Sequence, residues 1–172
     1  MENKKKPIVD MDELSPNFAL EIVKAGEENP LNCFQCGECV ADCPVSLIEG
    51  SYNPRKILRF ISLGMRRTVL TSDFIWLCSL CHLCHERCPQ GVYVPEIMNT
   101  LRNLAVKEGY IHPAFKKLLL IIKEHGRIYE IDDLVNSERE ALGLPSLNKE
   151  TNEIRKIFDK ARMSIRQSHG EA

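Results

Sequence analysis

Eight cysteines arranged as two copies of one spacing constrain this chain more than any other feature. Cys33-x-x-Cys36-x-x-Cys39-x-x-x-Cys43-Pro44 recurs 45 residues later as Cys78-x-x-Cys81-x-x-Cys84-x-x-x-Cys88-Pro89. A 4Fe–4S cubane takes four thiolates, one on each iron. Three cysteines at three-residue intervals wrap one cubane in a short loop, with backbone N–H groups facing its negative charge. The proline after each fourth cysteine fixes φ and turns the chain out of the site.

The fourth corner of each cubane has to be reached from elsewhere. In two-cluster ferredoxins the cysteine before proline ligates the other cluster, because the chain has by then moved past the first. The expectation here is one 4Fe–4S cluster on Cys33, Cys36, Cys39 and Cys88, and a second on Cys78, Cys81, Cys84 and Cys43. Zinc is the alternative reading. It uses paired C-x-x-C units with four sulfurs per ion, which leaves the third cysteine and the trailing C-x-x-x-C-P without a role.

The remaining composition narrows the function further. A formal charge of −1 lacks the basic excess of a nucleic-acid binder. The basic start Met1-Glu2-Asn3-Lys4-Lys5-Lys6-Pro7 leads into no apolar h-region, so no secretory signal is expected. The longest purely aliphatic run, residues 118–122, lies between Lys117 and Lys123, far short of the roughly 20 residues that cross a bilayer. A cytoplasmic chain is expected, and in that compartment eight cysteines serve a metal or redox chemistry, not disulfides.

Prolines, glycines and helix-period apolar residues divide the chain. Ser15-Pro16 reads as a helix start with Leu20, Ile22 and Val23 behind it and Gly26 as the stop. Further helices open at Asn53-Pro54 (Ile57, Leu58, Ile61), near Pro95 (Ile97, Met98, Leu101, Leu104, Ala105) and at His112-Pro113 (Phe115, Leu118, Leu119, Ile122). Ile154, Ile157, Phe158, Ala161 and Ile165 make a last helical stripe, preceded by a turn-rich linker over residues 137–148. Alternating strand patterns are almost absent. The 34 residues between Cys43 and Cys78 suffice for a helix pair, so the clusters are expected between helices. The predicted fold is all-α: a helical ferredoxin domain with two 4Fe–4S clusters in a pseudo-two-fold repeat and a helical C-terminal tail. Its parts are an N-terminal tail over 1–11, the cluster domain over 12–136, and a linker with the final helix over 137–172.

Around the cysteines, Trp76 reads as a cluster shield or a core anchor. With all eight sulfur positions supplied, His82 and His85 read as neighbours of the ligands or as surface residues. Arg55, Lys56, Arg59, Arg66, Arg67 and Arg87 read as a solvated basic face or as counter-charge to clusters and partners. No nucleophile–base pair, glycine-rich phosphate loop or flavin fingerprint is present in the sequence, so no catalytic residue is assigned.

These residues resemble the C subunit of heterodisulfide reductase. The similarity lies in Phe18-Ala19-Leu20-Glu21-Ile22, Cys33-Phe34-Gln35-Cys36-Gly37-Glu38-Cys39, Trp76-Leu77-Cys78, Glu86-Arg87-Cys88-Pro89, Gly91-Val92 and Leu101-Arg102-Asn103-Leu104-Ala105, across roughly residues 12 to 125. His82 and His85 stand where the family pattern has an aromatic. The resemblance implies a non-catalytic electron-relay subunit of an oxidoreductase complex, with the eight cysteines as its ligands. Its implied partners are a flavin-containing, electron-bifurcating subunit and a catalytic subunit with noncubane clusters. The latter reduces the coenzyme M–coenzyme B heterodisulfide of methanogenesis. Neither nucleic acid nor a membrane span is part of that picture. The alternatives are a relay in a related sulfur- or quinone-linked oxidoreductase, a free-standing ferredoxin-like carrier, or a zinc-structured interaction module.

Overall fold

The computed structural model describes residues 11–26, 28–148 and 152–161. No strand occurs among them. Eleven α-helices follow in order: α1 (Phe18–Gly26), α2 (Glu38–Ala41), α3 (Pro44–Ile48), α4 (Pro54–Ser62), α5 (Arg66–Leu70), α6 (Phe74–Leu77), α7 (Leu83–Glu86), α8 (Val94–Lys107), α9 (Pro113–His125), α10 (Asp133–Ala141) and α11 (Asn152–Lys160). The fold is all-α, as the missing strand patterns predict. Contacts divide it into two units, Met1–Tyr110 and Ile111–Ala172. Both cysteine loops belong to the first. Apart from Met11, the expected N-terminal tail lies outside the described residues.

In the first unit, α1, α4, α5 and α8 close a single core around Phe18, Ile22, Ile57, Leu58, Leu70 and Leu101, all essentially buried. Each such side chain contributes about 1.5–3 kcal/mol relative to exposure. Local chemistry sets the helix starts. Asn53 accepts from the Lys56 N–H at 3.0 Å and Pro54 takes the first helical position, where its missing N–H has no cost. Pro95 stands second in α8.

The first helix begins later than Ser15-Pro16 suggests. The Ser15 N–H is drawn to the Gly64 carbonyl at 2.7 Å, its own carbonyl accepts from Phe18, and a turn over Pro16 and Asn17 precedes α1. Gly26 ends α1 against α8 so closely that a Cβ there would lie 2.0 Å from Thr100 Oγ1. Arg66 ties the same corner together. Its guanidinium bonds both Glu21 oxygens at 2.7 and 2.9 Å and also reaches Glu108, joining α5 to α1 and to the end of α8.

In the second unit, α9 starts where His112 Nδ1 accepts from the Ala114 N–H and stops at Gly126 in the left-handed region, as expected. Helix α11 packs on α9 and buries Phe158, while Ile157 of the same stripe is exposed and Ile165 lies outside the described residues. The expected linker over 137–148 differs from what is found. Its first residues continue α10, and the rest folds back: Asn136 exchanges hydrogen bonds with both backbone groups of Leu147, and Arg139 Nε donates to the Pro145 carbonyl. Side chains inside α10 thus supply the order that turn composition hides.

Candidate iron–sulfur centres

The two cysteine loops share one backbone conformation. Among the described residues, the non-glycine positions with positive φ are Gln35 (68°), Leu80 (53°) and His82 (66°), and all lie in these loops. Gln35 and Leu80 each stand two residues past the first cysteine of their loop. Gly37 (φ 99°) and His82 each stand one past the second. Each left-handed non-glycine residue costs about 1 kcal/mol and persists where surroundings fix it. Such reversals aim successive N–H groups inward and form concavities for anions. The sequence repeat is therefore a structural repeat down to individual φ angles. Gly37 carries its left-handed φ without cost; His82 carries it with a side chain, its Nδ1 3.0 Å from the Tyr93 hydroxyl.

The second loop gathers one set of cysteines. One cavity is lined by Cys43, Cys78, Cys81 and Cys84, with Val45, Tyr52, Pro54, Val94 and Pro95 forming much of the apolar wall. Cys43, though it closes the first motif, thus lies with the three leading cysteines of the second. Cys39 is buried with Cys33, Cys36 and Cys88 as neighbours, and it also acts on Cys84. Burial, then the neighbouring sulfurs, push the Cys39 thiol up to about 11 and the Cys84 thiol up to about 12. Without metal these two thiols hold their protons; iron coordination displaces them. Cys36 and Cys81 are the exposed members of the two loops.

The donor set fits cubanes. A cubane spreads its thiolates over four separate irons, and the cavity brings Cys43, Cys78, Cys81 and Cys84 to one lining. Hydrogen bonds already reach sulfurs of both loops, among them Val92 N–H to Cys88 Sγ at 3.3 Å and Gln35 Nε2 to Cys33 Sγ at 3.4 Å.

One neighbour escapes a reading of the sequence. Tyr52 lines the second cavity, and burial, the Cys78 charge and a hydrogen bond with Cys78 hold its phenol well above the ordinary range. The aromatic on that cavity wall is Tyr52; Trp76 packs half-buried against the core. The signal for Tyr52 was its place just before the Asn53-Pro54 helix start in a chain poor in aromatics. His82 also lines the cavity, and the His85 ring stacks on Tyr93 with centroids 4.3 Å apart. Four of the basic residues have partners. Arg66 pairs with Glu21 and Glu108, Arg67 with Glu13, Arg87 with Asp42, and the Lys56 ammonium stands over Phe60 and Phe74.

Residues 30–92, which contain all eight cysteines, match the 4Fe-4S dicluster domain family. Over 168 residues the chain is 33% identical to the second iron–sulfur C subunit of the CoB–CoM heterodisulfide reductase of Methanocaldococcus jannaschii, covering 93% of this chain and 89% of that one. The chain belongs to the heterodisulfide reductase C-subunit family. Another relative, the C subunit of the ferredoxin:CoB-CoM heterodisulfide reductase of Methanosarcina mazei, is 36% identical over 73% of this chain and 76% of its own. The C subunit of the H(2):CoB-CoM heterodisulfide,ferredoxin reductase of Methanothermobacter marburgensis is 29% identical over 92% and 85%. As a member of this family, the chain is an iron–sulfur electron-transfer subunit of an oxidoreductase complex, with two 4Fe–4S clusters as its cofactors. No described helix is long and apolar enough to cross a membrane.

Proposed function

We propose that this chain is the cytoplasmic electron relay of a heterodisulfide reductase complex, standing between a flavin-containing, electron-bifurcating subunit and a catalytic subunit with noncubane clusters that reduces the coenzyme M–coenzyme B heterodisulfide of methanogenesis. When bound, each 4Fe–4S cluster supplies one-electron outer-sphere redox chemistry. The observation that carries the reading is the crossing of Cys43 into the cavity of Cys78, Cys81 and Cys84. It supports a ligand set of Cys78, Cys81, Cys84 and Cys43 for one cluster and Cys33, Cys36, Cys39 and Cys88 for the other. That arrangement spends all eight cysteines on structure, so no thiol is left as a nucleophile, and the chain takes no catalytic role.

The protein's own residues hold the thiolates, exclude water from the buried sulfurs and leave Cys36 and Cys81 at the surface, where partners approach. Anaerobic purification of the tagged chain from its own cells tests the reading. The expected outcome is co-elution with a flavin-carrying chain and a catalytic chain that together turn over the heterodisulfide. A carrier that elutes alone, with both clusters intact, contradicts it and favours the free-standing alternative.

A further inference from the structure

Helix α6 has only four residues and cannot satisfy its own final carbonyls, which lead directly into Cys78. Arg102, reaching across from α8, takes them up. Its Nε donates to the Ile75 carbonyl at 2.7 Å, and its Nη2 to the Cys78 carbonyl at 2.6 Å and the Trp76 carbonyl at 3.4 Å. These bonds are part-buried, and the planar guanidinium fork spans all three carbonyls. The first loop is entered differently. The 3-10 turn Pro30–Asn32 is capped by the Asn29 side chain and closed by the Cys33 N–H on the Pro30 carbonyl. Two cations stand by that loop, Arg55 beside Gly37 and Arg87 on Asp42, and both are exposed, where water and salt screen their charge. The pseudo-two-fold repeat is therefore broken at the entry to the second loop, where the Arg102 guanidinium takes up the carbonyls.

We propose that Arg102 is a positioning residue for the cluster of the second loop: it fixes the approach of Cys78 and, as a permanent nearby cation, raises that cluster's reduction potential while leaving the other cluster's unchanged. Reduction adds one negative charge to a cubane. A fixed cation at close range therefore stabilises the reduced form more than the oxidised one. The inference rests on the proposed cluster-bearing role of Cys78, Cys81 and Cys84 but not on which cysteine completes that set.

The test is a redox titration of the anaerobically prepared full chain, followed by electron paramagnetic resonance, with iron and sulfide counted in every sample. Cys81→Ser identifies the signal of the second loop, whatever its fourth ligand. Two cluster signals with matching iron and sulfide establish the cluster reading before any variant is compared. Arg102→Met and Arg102→Gln are expected to keep both clusters and to shift the second-loop potential downward, with the first-loop potential at its wild-type value. Arg102→Lys, which keeps the charge without the fork, is expected to fall between them and wild type. An unchanged second-loop potential in the neutral variants overturns the proposal, and so does an equal shift of both clusters. Loss of the second-loop cluster from both neutral variants also overturns it, because Arg102 would then only hold the loop closed.

Discussion

Asp42 and Arg87 pair across the two halves of the repeat, Nε to Oδ2 at 3.0 Å, each from the position just before the cysteine that closes its motif. In sequence these are equivalent residues of the two copies. One copy carries a carboxylate and the other a guanidinium, so the repeat is stitched to itself beside Cys43 and Cys88. Both side chains are about half exposed, at 43% and 61%, so the pair is worth no more than about 0.5–1 kcal/mol. Arg87→Ala should lower the unfolding free energy, read from anaerobic guanidinium unfolding, by that small amount. The swap of Asp42→Arg with Arg87→Asp should recover most of it.

Crossed ligation predicts a selective effect of Cys43→Ser. The centre held by Cys78, Cys81 and Cys84 should lose iron or change its paramagnetic signal, while its neighbour stays intact. Cys88→Ser should do the reverse. If Cys43→Ser instead alters the cluster of Cys33, Cys36 and Cys39, each loop supplies its own fourth ligand.

Thiol reactivity in metal-free protein should follow burial. Cys36 and Cys81 are exposed, whereas the Cys39 and Cys84 thiols are pushed up to about 11 and 12 by burial and neighbouring sulfurs. Since thiolates are the reactive form, alkylation near pH 8 should label Cys36 and Cys81 first and Cys39 and Cys84 last, as read by peptide mass mapping. Cluster insertion must displace those protons, so reconstitution should become more favourable as pH rises from 6 to 8.

The helix starts at Asn53-Pro54 and His112-Pro113 were legible because caps and prolines act within a few residues of themselves. The two 4Fe–4S clusters were legible as cofactors because the cysteine spacing is the chemistry. What stayed hidden depends on partners distant in sequence. Arg102 looks like any solvated cation on an amphipathic helix until α6 is folded against it. Helix α10 looks like linker because Ser137, Glu138 and Arg139 are polar, and its anchors, Asn136 and Arg139, act on residues 145–147. The matching left-handed residues went unread because three of the four carry side chains that conceal the signal a glycine gives.

Arg66 offers a test of the core corner. The Arg66 guanidinium bonded to Glu21 holds that carboxyl below its ordinary range, against the smaller opposing effect of burial. A depressed carboxylate stabilises the fold above its unfolded pKa of about 4.3, and the contribution is lost as pH falls through the lower folded value. Arg66→Met should cost about 1 kcal/mol, discounted for the partial exposure of both side chains. Measured by guanidinium unfolding, the gap to wild type should be constant between pH 6 and 8 and should narrow only below about pH 4.

The most direct test of the relay reading follows electrons, not structure. The isolated chain is reduced chemically, freed of excess reductant and mixed anaerobically with the coenzyme M–coenzyme B heterodisulfide, and cluster reoxidation is followed by absorbance. With eight cysteines assigned to two clusters, the chain offers no thiol to attack the disulfide and no open iron to bind it. The clusters should therefore stay reduced until the catalytic partner is added, and then reoxidise rapidly with release of the two thiols. Rapid, repeated reoxidation by the heterodisulfide with the isolated chain alone would contradict the account.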